Sequence, residues 1–300
     1  EGDIRGCFDN FAHQWMLGNI PLDQRILNQF LKAGYIYDGI LYRNKSGTPQ
    51  GCLISPLLAN MALDGMERML KEHFPGNKVH LIRFADDFLV TADSQETALQ
   101  CKELITEFLH ERGLELSEEK TKIVHINEGF DFLGWNFRKF KGKFLIQPSK
   151  KAIAAIIDKV RVIIKSAKAW KQEDLIKALN PVIKGWAMYH RTVSASMTFG
   201  KLDWVVRNML WRWAKRRHNN KGKRWIARKY WHPTLTRKQV FRTSTLTLEN
   251  FSNTKIQYRK FIKLDANPFI DTEYFENRPG VFLSKQRSIR MFLHYAHKSG

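Results

Sequence analysis

Arg83-Phe84-Ala85-Asp86-Asp87-Phe88 sets two adjacent acids between apolar runs, His80-Leu81-Ile82 before them and Phe88-Leu89-Val90 after. Both flanks read as short strands, so the acids fall at the turn of a hairpin. Crowding two carboxylates side by side is costly unless cations neutralise them. The pair makes most sense where a positive group, above all a divalent metal, is supplied. A third acid, Asp3, ends a strand-like segment that turns at Ile4-Arg5-Gly6-Cys7-Phe8. Singly these acids say little, because a lone Asp at a strand end is usually a turn or cap residue. Together, an acid at one strand end and a pair on a hairpin can converge on two metal ions. Two metals about 4 Å apart activate an attacking hydroxyl and stabilise a leaving pyrophosphate, which is the chemistry of nucleotidyl transfer.

The charge of the chain points the same way. Its net charge is +21 over 300 residues, a length that suits about two domains. Residues 1–134 carry 13 Lys and Arg against 20 Asp and Glu, a net −7. Residues 135–300 carry 37 against 9, a net +28. An acidic, catalytic-looking half is thus joined to a very basic one, and a polyanionic partner explains the asymmetry better than a solvated surface does. Cys7, Cys52 and Cys101 show no CxxC and no paired spacing, which argues against a disulfide framework or a cysteine zinc site and suits a reducing compartment. No apolar run approaches the roughly 20 residues of a membrane span, and no signal peptide is expected.

Along the chain, helical patterns are expected around His13–Leu17 and Asp23–Lys32, and Gly47-Thr48-Pro49-Gln50-Gly51 is a loop. Ser55-Pro56 opens a helix, with Ser at the N-cap and Leu57, Leu58, Met61, Met66 and Met69 behind it. Ser94 caps a helix over Gln95–Glu111 that ends at Gly113. Thr121–Ile126, Phe130–Phe137 and Lys143–Ile146 read as strands. After Pro148 the pattern turns helical and basic: Lys150–Lys165, Glu173–Leu179, Pro181–Tyr189 and Lys201–Arg216. Seven tryptophans fall between Trp170 and Trp231, most of them expected in a helical core, although Trp and Arg also stack on unpaired bases. Arg212, Lys215, Arg216, Arg217, Lys221, Lys223 and Arg224 form the densest basic run, a candidate for phosphate contacts with a solvated helix face as the plain alternative.

Five blocks in order carry a resemblance to reverse transcriptases. Asp3-Ile4-Arg5-Gly6-Cys7-Phe8-Asp9-Asn10 resembles motif A, and Thr48-Pro49-Gln50-Gly51-Cys52-Leu53-Ile54-Ser55-Pro56-Leu57-Leu58-Ala59-Asn60 resembles motif B. Phe84-Ala85-Asp86-Asp87 is similar to the acidic box of motif C. Leu116-Ser117-Glu118-Glu119-Lys120-Thr121-Lys122 resembles motif D, and Phe130-Asp131-Phe132-Leu133-Gly134-Trp135 the block after it. Within that class the group II intron-encoded reverse transcriptase/maturase is most similar, since Asn180-Pro181-Val182-Ile183-Lys184-Gly185-Trp186-Ala187-Met188-Tyr189 resembles its thumb, or maturase, segment. Arg216-Arg217-His218 and Trp225-Ile226-Ala227-Arg228-Lys229-Tyr230-Trp231 also look like that family.

The resemblance implies an α+β chain: a right-hand palm with an antiparallel sheet over residues 1–148, an α-helical thumb/maturase domain over 149–235, and a basic DNA-binding extension over 236–300. It implies RNA-directed DNA synthesis, with intron RNA binding that promotes splicing and retrohoming. Asp3, Asp86 and Asp87 match the family's catalytic, metal-binding acids for two Mg2+ ions, with the backbone carbonyl of Ile4 as a further ligand. Phe8 matches the steric gate against a ribose 2′-OH, although a core aromatic reads the same way in isolation. Gln50 and Gly51 match the loop that contacts nucleotide and template. Lys120 or Lys122 would assist the pyrophosphate, with solvated surface as the alternative. The implied partners are group II intron RNA, an RNA template, a DNA primer or target and deoxynucleotides, in bacterial cytoplasm or an organelle, without membrane contact. Motif A begins at Asp3, so the fingers that precede it in the family are expected to be missing. No cysteine follows Cys101, so the cysteine pairs of the HNH nuclease of some relatives are not expected within these 300 residues. Two rivals stand beside this reading: a splicing-only maturase cofactor and another bacterial reverse transcriptase lineage. The intact acids and Phe8 weigh against the first, the maturase-like segment and basic C-terminal third against the second.

Overall fold

Ser94 and Ser149 each start a long helix by accepting a hydrogen bond from the amide three residues on, Thr97 N and Ala152 N, both at 3.1 Å. Such caps satisfy one of the amides left open at a helix start and contribute about 1 kcal/mol. The computed structural model describes residues 1–42, 46–48, 52–76, 78–234, 237–258, 266 and 270–276. The fold is α+β, in two units: Glu1–Leu133 with Phe137–Phe144, and Gly134–Asn136 with Leu145 onward.

The first unit opens with helices α1 (Cys7–Asn10), α2 (His13–Asn19) and α3 (Gln24–Lys32), then a hairpin of β1 (Tyr35–Tyr37) and β2 (Ile40–Tyr42). Helices α4 (Ser55–Ala62) and α5 (Met66–His73) lead to a second hairpin, β3 (Val79–Phe84) and β4 (Asp87–Ala92), and to α6 (Gln95–His110). Helix α6 buries Cys101, Ile105, Phe108 and Leu109, the stripe of an amphipathic helix. They pack with Ile4, Phe11, Met16, Leu27, Leu58, Met66 and Phe88 into one core. Arg112 is buried with them: its guanidinium lies 3.3 Å from the Phe108 ring centre and 4.4 Å from that of Trp15. Its Nε donates to Ala62 O at 2.8 Å.

A three-stranded sheet follows, in the order β5 (Phe130–Phe132), β6 (Trp135–Phe140), β7 (Lys143–Pro148). The second unit is mainly helical: α7 (Lys150–Ser166), α8 (Gln172–His190), α9 (Ser196–Arg217) and α10 (Lys223–Tyr230). A short ladder of β8 (Trp231–His232) and β9 (Val240–Phe241), a 3-10 turn at Phe251–Asn253 and α11 (Thr272–Glu276) complete the described chain. Its core takes Ile156 and Val160 from α7, Leu175, Leu179 and Ile183 from α8, Phe199, Leu202 and Leu210 from α9, and Phe251. Of the seven tryptophans, Trp213 and Trp231 are buried and Trp186 and Trp211 pack against the core, while Trp170, Trp204 and Trp225 are exposed.

Local patterns and structure part at four places. The helix expected from Ser55 to Met69 is two helices, because the chain turns at Gly65 with φ of 90°; the N-cap of α4 is Ile54, and Ser55 is already inside the helix. The strand expected over Phe130–Phe137 breaks at Leu133 and Gly134, whose φ angles of 49° and 79° leave the extended region. Thr121–Ile126 joins no strand; its backbone bonds go to scattered partners, Lys122 to Glu1, Thr121 N to Ser117 O and Lys139 N to Ile126 O. Helix α8 runs straight through Pro181, where the local pattern predicts a break between two helices. The missing amide costs one bond, but Leu175 and Leu179 before it and Ile183 and Ala187 after it are all fixed in the same core.

Candidate functional site

Phe84 and Asp87 close the β3–β4 hairpin as its last pair, leaving Ala85 and Asp86 as a two-residue turn. Ala85 sits at φ 57°, a left-handed conformation that costs an L residue with a Cβ about 1–2 kcal/mol. Arg83 holds this turn: its Nη1 donates to Ala85 O at 3.0 Å and to Asn60 Oδ1 of α4 at 2.8 Å. Arg83 opens the acidic stretch and Asn60 closes the motif B block in the sequence, but neither carries an expected role there. The only local sign is that the single cation of the acidic run stands two residues before its turn.

The segment carrying Asp3 lies along β4. Gly2 exchanges both backbone hydrogen bonds with Phe88, at 2.9 and 3.2 Å. A Cβ on residue 2 would lie 2.1 Å from the Phe88 ring, so only glycine allows this approach. On the opposite side Ser117 N donates to Asp3 O at 2.8 Å and Arg5 N to Glu115 O at 2.9 Å. Asp3 is thereby one residue from the partner of Phe88, itself next to Asp87. The Ile4 side chain points into the core, 2% exposed, and its backbone bridges to Leu116.

The acids share one electrostatic neighbourhood. Lys120 Nζ contacts Asp3 Oδ2 at 2.9 Å, and its ammonium pKa is raised, first by that hydrogen bond and then by charges that include Asp87 and Asp86. Burial pushes the Cys7 thiol up to about 12, with Asp86 and Asp3 adding to the shift. The Glu1 carboxyl is raised by burial first, with Asp131 and Asp87 contributing. Among the described residues no group of three His, Cys, Asp or Glu side chains is drawn tightly enough to hold a metal ion. Asp3, Asp86 and Asp87 are therefore neighbours in one field, not a closed cage.

Phe8 is half-buried against the first core. Its carbonyl accepts from Thr48 N at 2.6 Å, and Gly47 N donates to Phe11 O at 2.9 Å, which docks residues 46–48 on the segment after Asp3. Gln50 and Gly51 lie outside the described residues. Lys122 is tied to Glu1 through its backbone, Lys122 N to Glu1 O at 2.9 Å.

In the second unit Arg212, Lys215, Arg216, Arg217, Lys221, Lys223 and Arg224 are all exposed. Among the described residues none of them pairs with an acid. Arg212, Lys215 and Arg216 share one face of α9, while Trp213 and Ala214 turn inward. Arg217 donates Nη1 to Lys168 O at 2.7 Å and lies 4.8 Å over the Trp213 ring. Lys221 and Lys229 flank the exposed Trp225, at 5.6 and 5.0 Å from its ring centre.

No helix among the described residues is long and apolar enough to cross a membrane. Residues 1–137 match the family "Reverse transcriptase (RNA-dependent DNA polymerase)", and residues 153–231 match "Group II intron, maturase-specific domain". The chain is 29% identical to the group II intron-encoded protein LtrA of Lactococcus lactis subsp. cremoris, over 46% of this chain and 34% of that protein. It is 26% identical to protein YkfC of Escherichia coli (strain K12), over 48% of each. Maturase-like protein 1 of Euglena gracilis is 29% identical, over 49% of this chain and 32% of that protein. The matched stretch thus spans about a third to a half of the length of these relatives.

Proposed function

The chain belongs to the group II intron-encoded reverse transcriptases and maturases, and from that premise we propose that it copies RNA into DNA and binds its intron RNA to promote splicing and retrohoming. Residues 1–148 act as the palm, 149–235 as the thumb and maturase domain, and 236–300 as a basic DNA-binding extension. The observation that carries the catalytic half is the Gly2–Phe88 backbone pair, which sets Asp3 beside the hairpin end that bears Asp86 and Asp87.

The donor set suits magnesium: carboxylates are the hard oxygen ligands this ion takes, and Lys120 already answers their charge. Two magnesium ions bound there would activate a primer 3′-hydroxyl and neutralise charge on the α-phosphate of a deoxynucleotide. Asp3 and Asp86 would hold them, with Asp87 and the Ile4 carbonyl beside these two. Arg83 keeps the turn and therefore Asp86 in place. Lys120, already on Asp3, stands where the leaving pyrophosphate gains charge, and Lys122 is the alternative. The Phe8 ring excludes a ribose 2′-hydroxyl, while Gln50 and Gly51 contact the incoming nucleotide. The exposed cations of α9 and α10 meet the phosphates of RNA and DNA.

The test is Asp86→Asn in the full-length protein. Primer extension on an RNA template should be lost, and intron RNA affinity should stay within about two-fold, because a single charge at the turn is far from a dominant share of a polyelectrolyte contact. Extension at the unmodified rate would remove Asp86 from the metal site. A full-length protein that splices but never extends a primer would instead be a splicing cofactor.

A further inference from the structure

Helix α8 contains a glycine that its own fold does not require. A Cβ on Gly185 would meet no atom within 4 Å, and its φ is outside the left-handed region. Glycine inside a helix lowers stability relative to alanine, so an alanine here would strengthen α8 without a clash. What Gly185 does is keep open a groove between α7 and α8, about 470 Å³ in volume, whose walls include Ala152, Lys159, Trp186, Tyr189 and His190.

His190 supplies the second observation. It is 2% exposed, and its Nδ1 accepts a hydrogen bond from Trp135 Nε1 at 3.0 Å. A neutral imidazole that accepts at Nδ1 carries its proton on Nε2. Among the described residues that Nε2–H has no acceptor. That atom is not sealed from solvent, since among the described residues only Thr121 Oγ1 is a buried side-chain N or O without a partner, so the donor is open to an acceptor that enters the groove His190 lines. The ring is fixed by its neighbours, with Trp186 at 4.1 Å and Tyr189 at 4.9 Å between ring centres. Tyr189, 49% exposed, is itself stacked on Trp135 at 5.1 Å and 23°, so one aromatic face is held rigid at the groove.

We propose that this groove receives a single unpaired nucleobase of a bound nucleic acid strand, stacked against Tyr189 with an acceptor atom on His190 Nε2–H. The inference rests on the nucleic-acid reading above and adds a site to it. A nucleobase is flat, aromatic and rich in ring nitrogen and carbonyl acceptors, which matches an aromatic wall beside one donor. Lys159 at the groove is exposed and, among the described residues, pairs with no acid, so it is available to the adjoining phosphate. An aliphatic side chain of a protein partner would leave both the donor and that cation unanswered. RNA and DNA bases offer the same chemistry here.

The experiment uses full-length protein and two single-stranded 2-aminopurine oligonucleotides, one RNA and one DNA, beside a blunt duplex of equal charge. Stacking on Tyr189 should quench the probe on binding. Gly185→Leu, which fills the groove from an exposed helical position, should remove the quench and weaken single-strand binding on the order of ten-fold. Gly185→Ala should do so in part while raising the melting temperature, a gain that a merely structural glycine role would not pair with weaker affinity. Duplex affinity should not change. The RNA and DNA arms tell which strand the groove prefers. Equal single-strand affinity and equal quenching in wild type and Gly185→Leu would overturn the groove assignment and leave the nucleic-acid reading standing. Failure of the wild type to bind either oligonucleotide or the duplex would overturn both.

Discussion

Lys120 Nζ rests 2.9 Å from Asp3 Oδ2, although 117 residues separate them in sequence. The ammonium occupies the charge-compensating position that a metal would take on that carboxylate. A metal entering at Asp3 must compete with it. Lys120→Gln should therefore lower the half-saturating magnesium concentration for primer extension by a few-fold, measured by titrating Mg2+ at fixed ionic strength. An unchanged or raised half-saturation value would mean that Lys120 and the ion do not share Asp3.

Gly47 should be irreplaceable for a steric reason. A Cβ there would lie 2.3 Å from Phe8 O and 2.4 Å from Asp9 C, both backbone atoms that cannot rotate away, and φ is 71°. Gly142 has a similar φ of 78° with nothing within 4 Å. Gly142→Ala should cost only the left-handed strain of about 1–2 kcal/mol, whereas Gly47→Ala should cost clearly more or undock residues 46–48. Urea unfolding of the two variants decides it, and equal midpoints would contradict the close approach.

The acidic hairpin is legible because Arg83–Phe88 is a local pattern: apolar strand, two-residue turn, apolar strand. The helices from Gln95 and Lys150 are legible from their serine caps and apolar stripes. What brings Asp3 to the hairpin is not local. It depends on the Gly2–Phe88 pair, and a glycine pressed under a phenylalanine ring has no signature in composition or period. Pro181 shows the reverse case. The local rule breaks the helix there, yet core contacts on both sides override it. The buried Arg112 is equally hidden in the sequence, because its value comes from two rings and a carbonyl contributed by three separate segments.

His190 should make the second unit acid-sensitive. Burial lowers its pKa from 6.5 to about 4. The unfolded chain therefore binds this proton more readily than the folded one between those values. Stability is full above about pH 6.5 and falls as pH drops toward 4, by up to roughly 3 kcal/mol at the usual 1.36 kcal/mol per pKa unit. His190→Gln keeps an acceptor for Trp135 Nε1 but cannot titrate. Urea midpoints measured from pH 7.5 to 4.5 should fall more steeply in the wild type than in the variant. Parallel profiles would show that His190 is not the group responsible.

The charge split predicts where nucleic-acid affinity resides. Arg212, Lys215 and Arg216 project from one exposed face of α9 and pair with no acid among the described residues. Arg217 is different, since it is engaged with Lys168 O and the Trp213 ring, and replacing it would mix stability with binding. Neutralising Arg212, Lys215 and Arg216 together to Gln should reduce the slope of log K against log salt by about 2 to 3, at roughly 0.7–0.9 for each phosphate that is no longer neutralised. Affinity should drop across unrelated sequences, because phosphate contacts carry no base information. Neutralising Lys32, Arg68 and Lys102, three exposed cations of the acidic half, should move the slope much less. If splicing fails in the α9 variant while extension on a generic primer–template persists, intron binding resides on that face and is separable from polymerisation. A slope that does not move would make the α9 cations a solvated face and shift the RNA contacts to another part of the chain.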